Sequence, residues 1–266
     1  MRSTAPQTFC SVYGPVRSWR YGQSLGIDPI GEVSTCSFNC VYCQLGEIEH
    51  QQTDRQIFIS TAQIEADLQS FAPWDVDIVT LSGSGEPTLA LNLGDILATV
   101  KRVTGKPAGV LTNGSLLYDP IVRAELAIAD RVAVKVDGIG VEQLRRINRP
   151  LSEMNQTDFW ASLQKFRQHY SGQLAIQTML LSPWNDRDQA IYTALMYALK
   201  PDEIHLNTPT RPKPLHHPLD SRSNHPLDSI PYLARLLKPV HADVLEAFAD
   251  RIQATIGIPV RYPQPV

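Results

Sequence analysis

Three of the four cysteines of this chain fall within eight residues, in the segment Cys36-Ser-Phe-Asn-Cys40-Val-Tyr-Cys43. Three thiolates at this separation can hold three corners of a cubane iron–sulfur cluster, whose usual complement is four cysteine ligands. One iron is then left without a protein ligand, and an open coordination position is typical of a cluster that does chemistry rather than one that only transfers electrons. The triplet therefore predicts a 4Fe–4S cluster with one open iron.

A structural zinc site is the main competing interpretation of the triplet. Such a site needs a fourth Cys or His at fixed spacing, commonly from a second Cys-x2-Cys pair. The sequence contains no second pair; the nearest candidate is His50, and Cys10 lies far upstream. Disulfides are expected still less, because the rest of the chain is poor in cysteine and disulfides belong to oxidising compartments. The cluster is the favoured interpretation.

Composition limits the class of protein and its partners. A length of 266 residues fits one large domain, or one with a small appendage, and 43% hydrophobic with 19% charged residues is typical of a soluble globular protein. The net charge of −3 gives no overall field for nucleic acid or an anionic membrane, so a nucleic-acid partner is not favoured but stays open. We find no apolar core of a signal peptide and no apolar run of bilayer length, and therefore expect a cytoplasmic location without a membrane partner. A reducing compartment also suits an oxygen-sensitive cluster.

The hydrophobic pattern alternates between short β-branched runs and longer segments of helical period. The runs predict strands at 77–81, 108–112, 131–136, 174–180 and 203–206, with a less regular strand at 27–33. Helices are predicted at 61–71, 92–104, 119–128, 155–169 and 186–199, the first opened by Ser60 and Gln63 at capping-box spacing. This alternation predicts an α/β fold, a partial (βα)6 TIM-like barrel with a parallel sheet.

A proline-rich stretch at 208–226 ends the alternation, and helices are expected after it at 228–237 and 242–255. We therefore divide the chain into residues 1–214, the barrel with an N-terminal extension, and residues 215–266, a Pro/His-rich loop with a helical tail. Within that loop His217-Pro-Leu-Asp-Ser221 recurs as His225-Pro-Leu-Asp-Ser229. Two copies are too few for a solenoid, so we interpret them as a loop duplication and expect its histidines to be solvated rather than to bind a second metal.

The spacing Cys-x3-Cys-x2-Cys, with Tyr42 just before the last cysteine, resembles the signature of the radical S-adenosylmethionine (radical SAM) superfamily. The resemblance implies that the amino and carboxyl groups of SAM chelate the open iron. It also implies that the reduced cluster cleaves SAM to a 5′-deoxyadenosyl radical. Tyr42 is implied to pack against the adenine, although an aromatic residue filling the core is an alternative.

Polar residues at the strand ends should converge on the carboxyl edge of the sheet, where such barrels place their sites. The segment Ser82-Gly-Ser-Gly-Glu-Pro-Thr88 resembles the family's Gly-Gly-Glu segment with a serine in place of the first glycine, and the resemblance implies that Ser84, Gly85 and Glu86 hold the amino group of SAM. A plain βα loop would also explain a Gly-Ser-Gly turn taken alone.

Two further strand ends match the family. Thr112 and Asn113 follow the next strand, and Asp137 corresponds to the family's acidic residue that touches the ribose and carboxylate of SAM. Lys135 departs from the serine of that pattern; it could pair with the SAM carboxylate, or it could extend along the barrel interior. We expect Glu86 and Asp137 at the carboxyl ends of neighbouring strands, facing the open iron.

A narrower resemblance rests on the segments 13–28, 82–89, 146–150 and 205–212 and covers about residues 12 to 214. Together they look like a largely uncharacterised branch of radical SAM proteins related to the wyosine-base synthases of tRNA and, more distantly, to nitrogenase-cofactor maturases. A tRNA-modifying function is therefore one alternative, although the chain has no basic excess and Cys10 alone supplies too few ligands for a second cluster. A non-catalytic iron–sulfur or zinc scaffold, binding a partner through the Pro/His loop, is another.

The distinctive segments also carry basic residues. Arg17, Arg149 and Arg211 each lie beside a proline, a tryptophan or a strand end. We predict that at least two of them line the cluster cavity, with Asn207 as a further substrate residue, and bind an anionic group of the substrate, since guanidinium matches phosphate or carboxylate. Arg20 and Lys213 lie in the same segments, whereas Arg145 and Arg146 are expected to be solvated. The substrate itself, small molecule or macromolecule, is undetermined; the implied partner is an electron donor such as flavodoxin or ferredoxin.

Overall fold

The computed structural model describes residues 9–152, 154–223 and 230–263. Its longer strands are β1 (Val12–Ser18), β2 (Gly22–Ile27), β5 (Ile78–Leu81), β6 (Ala108–Thr112), β7 (Arg131–Lys135), β8 (Gln173–Met179) and β9 (Glu203–Asn207). Two-residue strands are β3 (Thr35–Cys36), β4 (His50–Gln51), β10 (Lys213–Pro214), β11 (Ala234–Arg235) and β12 (Val260–Arg261). The helices are α1 (Thr61–Gln69), α2 (Leu93–Thr104), α3 (Pro120–Leu126), α4 (Val141–Ile147), α5 (Gln156–His169), α6 (Asp186–Leu199) and α7 (Ala242–Ile256).

One eight-stranded sheet organises the protein, in the order β1-β2-β5-β6-β7-β8-β9-β12. Every pair from β2 onward is parallel, and helices connect the successive strands of the sheet. All four residues of β5 are buried, as expected for a parallel strand covered on both faces. The partial TIM-like barrel predicted from the sequence is confirmed, with one addition: β1 pairs antiparallel with β2 at the edge.

Local chemistry explains where the first parallel strand ends. The strand predicted at 27–33 is wrong, because β2 already ends at Ile27. The carboxylate of Asp28 accepts hydrogen bonds from the backbone N–H groups of Ile30 (3.0 Å) and Gly31 (3.2 Å), which turns the chain immediately. Gly31 has φ +113°, a conformation that favours glycine.

The proline-rich region and the tail differ from the expectation in one element. Of the helix predicted at 228–237, residues 228 and 229 lie outside the described residues, and the remainder is not helical. It contains β11, which pairs antiparallel with β10. The helix predicted at 242–255 is confirmed as α7, and the Ser60 cap of α1 is confirmed by a 3.2 Å hydrogen bond from the Gln63 N–H. The division of the chain at 214/215 stays a prediction.

The turn between β1 and β2 contacts the far end of the sheet. The rings of Trp19 and Tyr21 meet the ring of His205 on β9 edge-on, at centroid distances of 5.7 and 6.0 Å. From β12, Arg261 donates hydrogen bonds to the carbonyls of Trp19 (2.8 Å) and Arg20 (3.0 Å). The turn therefore connects the first strands of the curled sheet with the last ones and carries the Arg20 side chain into the barrel interior.

None of the helices formed by the described residues combines the length and the apolar character that crossing a membrane requires.

Candidate active site

The three cysteines of the triplet line one cavity of about 490 Å³. Its walls come from the barrel strands, from the loop that carries the cysteines, and from residues 207–212 after β9. Gly85, Glu86, Thr112, Asn113 and Lys135 contribute to the same cavity, at or near the carboxyl ends of β5, β6 and β7. These five predicted strand-end residues therefore converge on the cavity, whereas Ser84 and Asp137 are buried and do not line it.

Two neighbouring segments hold the cysteine loop in place. On one side, the N–H groups of Asn39 (3.0 Å) and Val41 (2.9 Å) bond to the carbonyls of Asn148 and Ile147 at the end of α4. The rings of Phe38 and Tyr42 are buried in a small apolar cluster on that side. Because backbone hydrogen bonds and apolar packing act together, the loop is positioned by the protein and not only by what it binds.

On the other side, the loop after β5 forms a bridge to the strand that enters the triplet. The N–H of Thr35 donates to the carbonyl of Ser84 (2.9 Å), and the N–H of Glu86 donates to the carbonyl of Thr35 (3.1 Å). A Cβ placed on Gly85 would lie 1.7 Å from that Thr35 oxygen. Only glycine allows this close approach of the two backbones.

The donor set fits an iron–sulfur cluster. All three thiols are free, and burial raises the pKa of Cys36 well above its ordinary value, that of Cys40 to about 12, and that of Cys43 as well. Side-chain amides point at two of the sulfurs: Asn113 Nδ2 lies 3.5 Å from Cys36 Sγ, and Asn148 Nδ2 lies 3.3 Å from Cys40 Sγ. Such N–H donors stabilise negative charge on cluster sulfurs.

Asp137 is the centre of a buried network next to the cluster loop. The Tyr42 hydroxyl and Asn148 Nδ2 (2.6 Å) both donate to Asp137 Oδ2, and the N–H of Met179 donates to Oδ1 (2.8 Å). Lys135 Nζ donates to the Tyr42 hydroxyl (2.8 Å) and lies 4.7 Å from the centre of its ring. Burial and the nearby Asp137 carboxylate raise the pKa of Tyr42 well above its usual value. The network fixes the ring of Tyr42, and the contact of Asp137 with SAM stays a prediction.

Glu86 is similarly occupied by internal donors. It accepts hydrogen bonds from Thr88 N (3.1 Å) and Oγ1 (2.7 Å), Thr112 Oγ1 (2.6 Å) and Asn113 N (2.7 Å), while burial raises the pKa of its carboxyl. The expectation that Glu86 and Asp137 follow neighbouring strands is wrong, because β6 lies between the strands that precede them. Ser84 is fully buried and donates to Asp28 Oδ2 at 2.7 Å.

The predicted substrate residues divide into two groups. Arg17, Asn207 and Arg211 line the cavity. Arg149 does not: its side chain is exposed, and it follows the end of α4 with φ +47°, its N–H bonded to the carbonyl of Leu144 (3.1 Å). Two of the three arginines therefore line the cavity, as predicted, whereas the backbone of Arg149 terminates a helix and its side chain is not part of the cavity wall.

A buried ion pair escaped the sequence analysis. Arg222 Nη1 lies 2.9 Å from Asp28 Oδ2, and its guanidinium stacks over the rings of Phe9 (5.1 Å) and Tyr13 (4.9 Å). The side chain of Asp28 is fully buried, and that of Arg222 is 8% exposed. No sequence signal pairs two residues so far apart; only the unusual position of a charged residue directly after a buried strand points to Asp28.

Residues 211–217 lie over the cysteine loop, and we call them the cover segment. The Arg211 guanidinium donates to Gln44 Oε1, Lys213 Nζ donates to Glu47 Oε1 (2.5 Å), and His217 Nδ1 lies 3.2 Å from the Leu45 carbonyl oxygen. We expected the histidines of the Pro/His-rich loop to be solvated. His216 is exposed, as expected, whereas His217 is partly buried, and His225 lies outside the described residues.

Comparison with known proteins identifies the family. The model of the Radical SAM superfamily matches residues 33–195, more than half of the chain. The chain belongs to the radical SAM superfamily. Accordingly it is an enzyme whose cofactors are a 4Fe–4S cluster and SAM, as the triplet and its resemblance predicted.

Relatives of this radical SAM protein place it in the UPF0026 family. It is 54% identical over 257 residues to a UPF0026 protein of Synechocystis sp., covering 96% of each chain. It is 33% identical to a UPF0026 protein of Methanocaldococcus jannaschii, covering 75% of this chain and 64% of the relative. The link to wyosine-base synthases stays a prediction.

Solved structures share the fold. The chain superposes on Streptococcus suis SuiB bound to precursor peptide SuiA with a TM-score of 0.62 at 12% identity, covering 90% of this chain and 48% of SuiB. It superposes on anSMEcpe with bound AdoMet, another name for SAM, with a TM-score of 0.58 at 14% identity, covering 90% of this chain and 63% of that chain. The chain thus spans about half the length of SuiB.

Proposed function

We propose that the protein reductively cleaves SAM and uses the resulting radical to remove a hydrogen atom from a substrate held in the cavity. The observation that carries this proposal is that Cys36, Cys40 and Cys43 line the same cavity of about 490 Å³ as the polar residues at the strand ends. When bound, the cluster supplies the electron that breaks a carbon–sulfur bond of SAM. The protein has to bind SAM and substrate, orient them, and exclude water and oxygen.

We assign different residues to the cluster and to SAM. Cys36, Cys40 and Cys43 would hold the cluster, and the amides of Asn113 and Asn148 would donate to its cysteine sulfurs. For SAM we retain Tyr42, Ser84, Gly85, Glu86, Thr112, Asn113, Lys135 and Asp137 as the proposed contacts. Because the carboxylates of Glu86 and Asp137 already have internal donors, we expect the peptide groups around Gly85 to contact the amino group of SAM directly.

An anionic substrate is supported by the charges around the cavity. Among the described residues that line it, five are cationic, namely Arg17, Arg20, Lys135, Arg211 and Arg222, and one is acidic, Glu86. Asn207 adds an amide to the same wall. An electron donor such as flavodoxin or ferredoxin would complete the reaction. No described contact favours a tRNA substrate or a scaffold role, and both stay alternatives.

Anaerobic reconstitution tests the proposal. Protein supplied with iron and sulfide should bind about four irons, and dithionite with SAM should yield 5′-deoxyadenosine. Cys40→Ala should abolish both the cluster signal and the product, whereas the matched control Cys10→Ala should retain them because Cys10 lies outside the triplet. A non-catalytic scaffold would bind iron but form no 5′-deoxyadenosine, and SAM cleavage by Cys40→Ala would contradict the assignment of the cluster ligands.

A further inference from the structure

We propose that Arg20 and Arg211 together form a binding site for the phosphoryl group of a small phosphorylated substrate. The proposal deepens the proposed function and rests on it in one respect, that the cavity beside the cysteines is where the substrate binds. The two arginines come from opposite ends of the sheet, Arg20 from the turn between β1 and β2 and Arg211 from the segment after β9. Both line the same cavity.

Arg20 is a cation that the described residues do not neutralise. Its Nε is buried without a hydrogen-bond partner among them, and they provide no carboxylate within ion-pair distance of its guanidinium. The guanidinium lies 5.0 Å from the ring centre of Trp19, and Arg261 fixes the turn through two carbonyls. A buried donor without an acceptor is costly, so this guanidinium is suited to an acceptor on a ligand.

Arg211 is in a similar position. Its guanidinium donates to the neutral amide of Gln44, and no carboxylate in the described parts of the chain forms an ion pair with it. Burial, and next the positive charge of Arg20, lower the pKa of Arg211 to about 10, and burial lowers the pKa of Arg20 as well. A guanidinium keeps its charge at neutral pH in proteins. Two like charges that face one cavity repel each other, and an anion bound between them would offset this repulsion.

Three other charged residues of the cavity wall already have partners. Arg222 is paired with Asp28, Lys135 Nζ lies 3.8 Å from Asp137 Oδ2, and the carboxylate of Glu86 accepts four internal hydrogen bonds. The charge left for a ligand to neutralise therefore includes the two guanidiniums of Arg20 and Arg211.

The number of charges indicates the chemical class of the ligand. A phosphate monoester carries about −1.5 to −2 charges at neutral pH and offers three acceptor oxygens, enough for two guanidinium forks. A single carboxylate carries one charge and would leave one guanidinium without compensation. A cavity of about 490 Å³ accommodates a small molecule rather than a folded macromolecule.

The test uses reconstituted protein and inorganic phosphate as the probe, titrated calorimetrically in the presence of SAM, with acetate as the singly charged comparison. We expect phosphate to bind more tightly than acetate, and Arg20→Met and Arg211→Met each to weaken phosphate binding at least about tenfold, as loss of a hydrogen bond between charged groups predicts. Arg20→Lys and Arg211→Lys keep the charge and should recover only part of the affinity, because lysine lacks the guanidinium fork. The matched control is Arg187→Met, an exposed arginine of α6, which should bind phosphate like the wild type.

The possible outcomes separate this inference from the proposed function. Equal affinity for phosphate and acetate, no measurable phosphate binding, or Met variants that match Arg187→Met would overturn it, provided that circular dichroism shows the variants folded. SAM affinity is measured in the same variants, and a loss as large as that for phosphate would assign the guanidiniums to the SAM carboxylate instead. If the wild type forms no 5′-deoxyadenosine, the proposed function is contradicted. The phosphate measurements would still decide whether Arg20 and Arg211 bind a phosphoryl group.

Discussion

Removing one partner of the buried Asp28–Arg222 pair should destabilise the protein more than any surface ion pair can. Arg222→Met keeps the side-chain volume roughly but leaves the Asp28 carboxylate, fully buried, without its counter-charge. The hydrogen bonds from Ile30 N (3.0 Å), Gly31 N (3.2 Å) and Ser84 Oγ (2.7 Å) remain, so the carboxylate is not orphaned. Breaking such a pair lowers the free energy of unfolding by about 3–5 kcal/mol. Because three donors still stabilise the Asp28 carboxylate, we expect Arg222→Met to lower it by about 3 kcal/mol, at the low end of that range.

A double-mutant cycle measured by anaerobic urea unfolding checks the reasoning. Asp28→Asn puts an amide where the carboxylate met Arg222, and Asp28→Asn with Arg222→Met removes both charges together. We expect the double variant to be less destabilised than the sum of the single variants by more than about 1 kcal/mol, because each single change leaves one buried charge uncompensated.

The matched control is Arg251→Met, which breaks an exposed pair with Asp186 at 2.7 Å and should cost about 0–1 kcal/mol. If Arg222→Met costs no more than Arg251→Met, or if the cycle is additive within about 0.5 kcal/mol, the pair does not act as a buried unit and the reasoning fails.

Three further predictions follow from the cysteine loop and its surroundings. Gly85→Ala should prevent four-iron assembly, because its Cβ would lie 1.7 Å from the Thr35 carbonyl oxygen; normal iron content would refute the close approach. Asn148→Ala should make the cluster reduction potential more negative by about 20–65 mV in an EPR-monitored titration. This shift is the one-electron equivalent of about 0.5–1.5 kcal/mol for the lost N–H···S bond to Cys40. An unchanged potential would speak against that bond. The hydrogen bond from Lys213 holds the pKa of Glu47 below its usual value. Their contact should therefore stabilise the folded state above about pH 4.5 and lose this effect as the pH falls. In NMR titrations of cluster-free protein, Lys213→Met should raise the pKa of Glu47.

Local patterns predicted those parts of the protein whose chemistry is itself local. The alternation of strands and helices lies within short stretches of sequence and was sufficient for the fold. The cysteine spacing was sufficient to predict the 4Fe–4S cofactor, and the assignment of Cys36, Cys40 and Cys43 as its ligands stays a prediction. The sequence could not tell which of the three predicted arginines stays outside the cavity, because the place of Arg149 depends on how α4 ends, with the residue at φ +47°. Arg222 was missed because its partner lies 194 positions away, and no local pattern reports such a contact.

The hydrophobic periodicity also could not predict the two edge strands of the sheet, β1 and β12. Strand β12 has two residues, too few for an alternation to be visible, and β1 lies in a segment that contains Gly14 and Pro15. Arg20 was recognised as one of several basic residues, but nothing in the sequence distinguished it from the solvated ones. Its place in the cavity wall depends on long-range contacts of its turn, with Arg261, 241 positions along the chain, and with the ring of His205.

The cover segment has a consequence for how the protein is made in a cell. Its contacts with Gln44, Leu45 and Glu47 join positions separated by 167, 172 and 166 residues. At a synthesis rate of about 5–20 residues per second, the cysteine loop leaves the ribosome roughly 10–30 s before the residues that lie over it. During that interval the three thiols are open to an iron–sulfur donor, and after it the cover segment contacts the residues that directly follow Cys43. Cluster delivery during translation, or while the C-terminal part is still unfolded, is therefore the route with the fewest contacts to break.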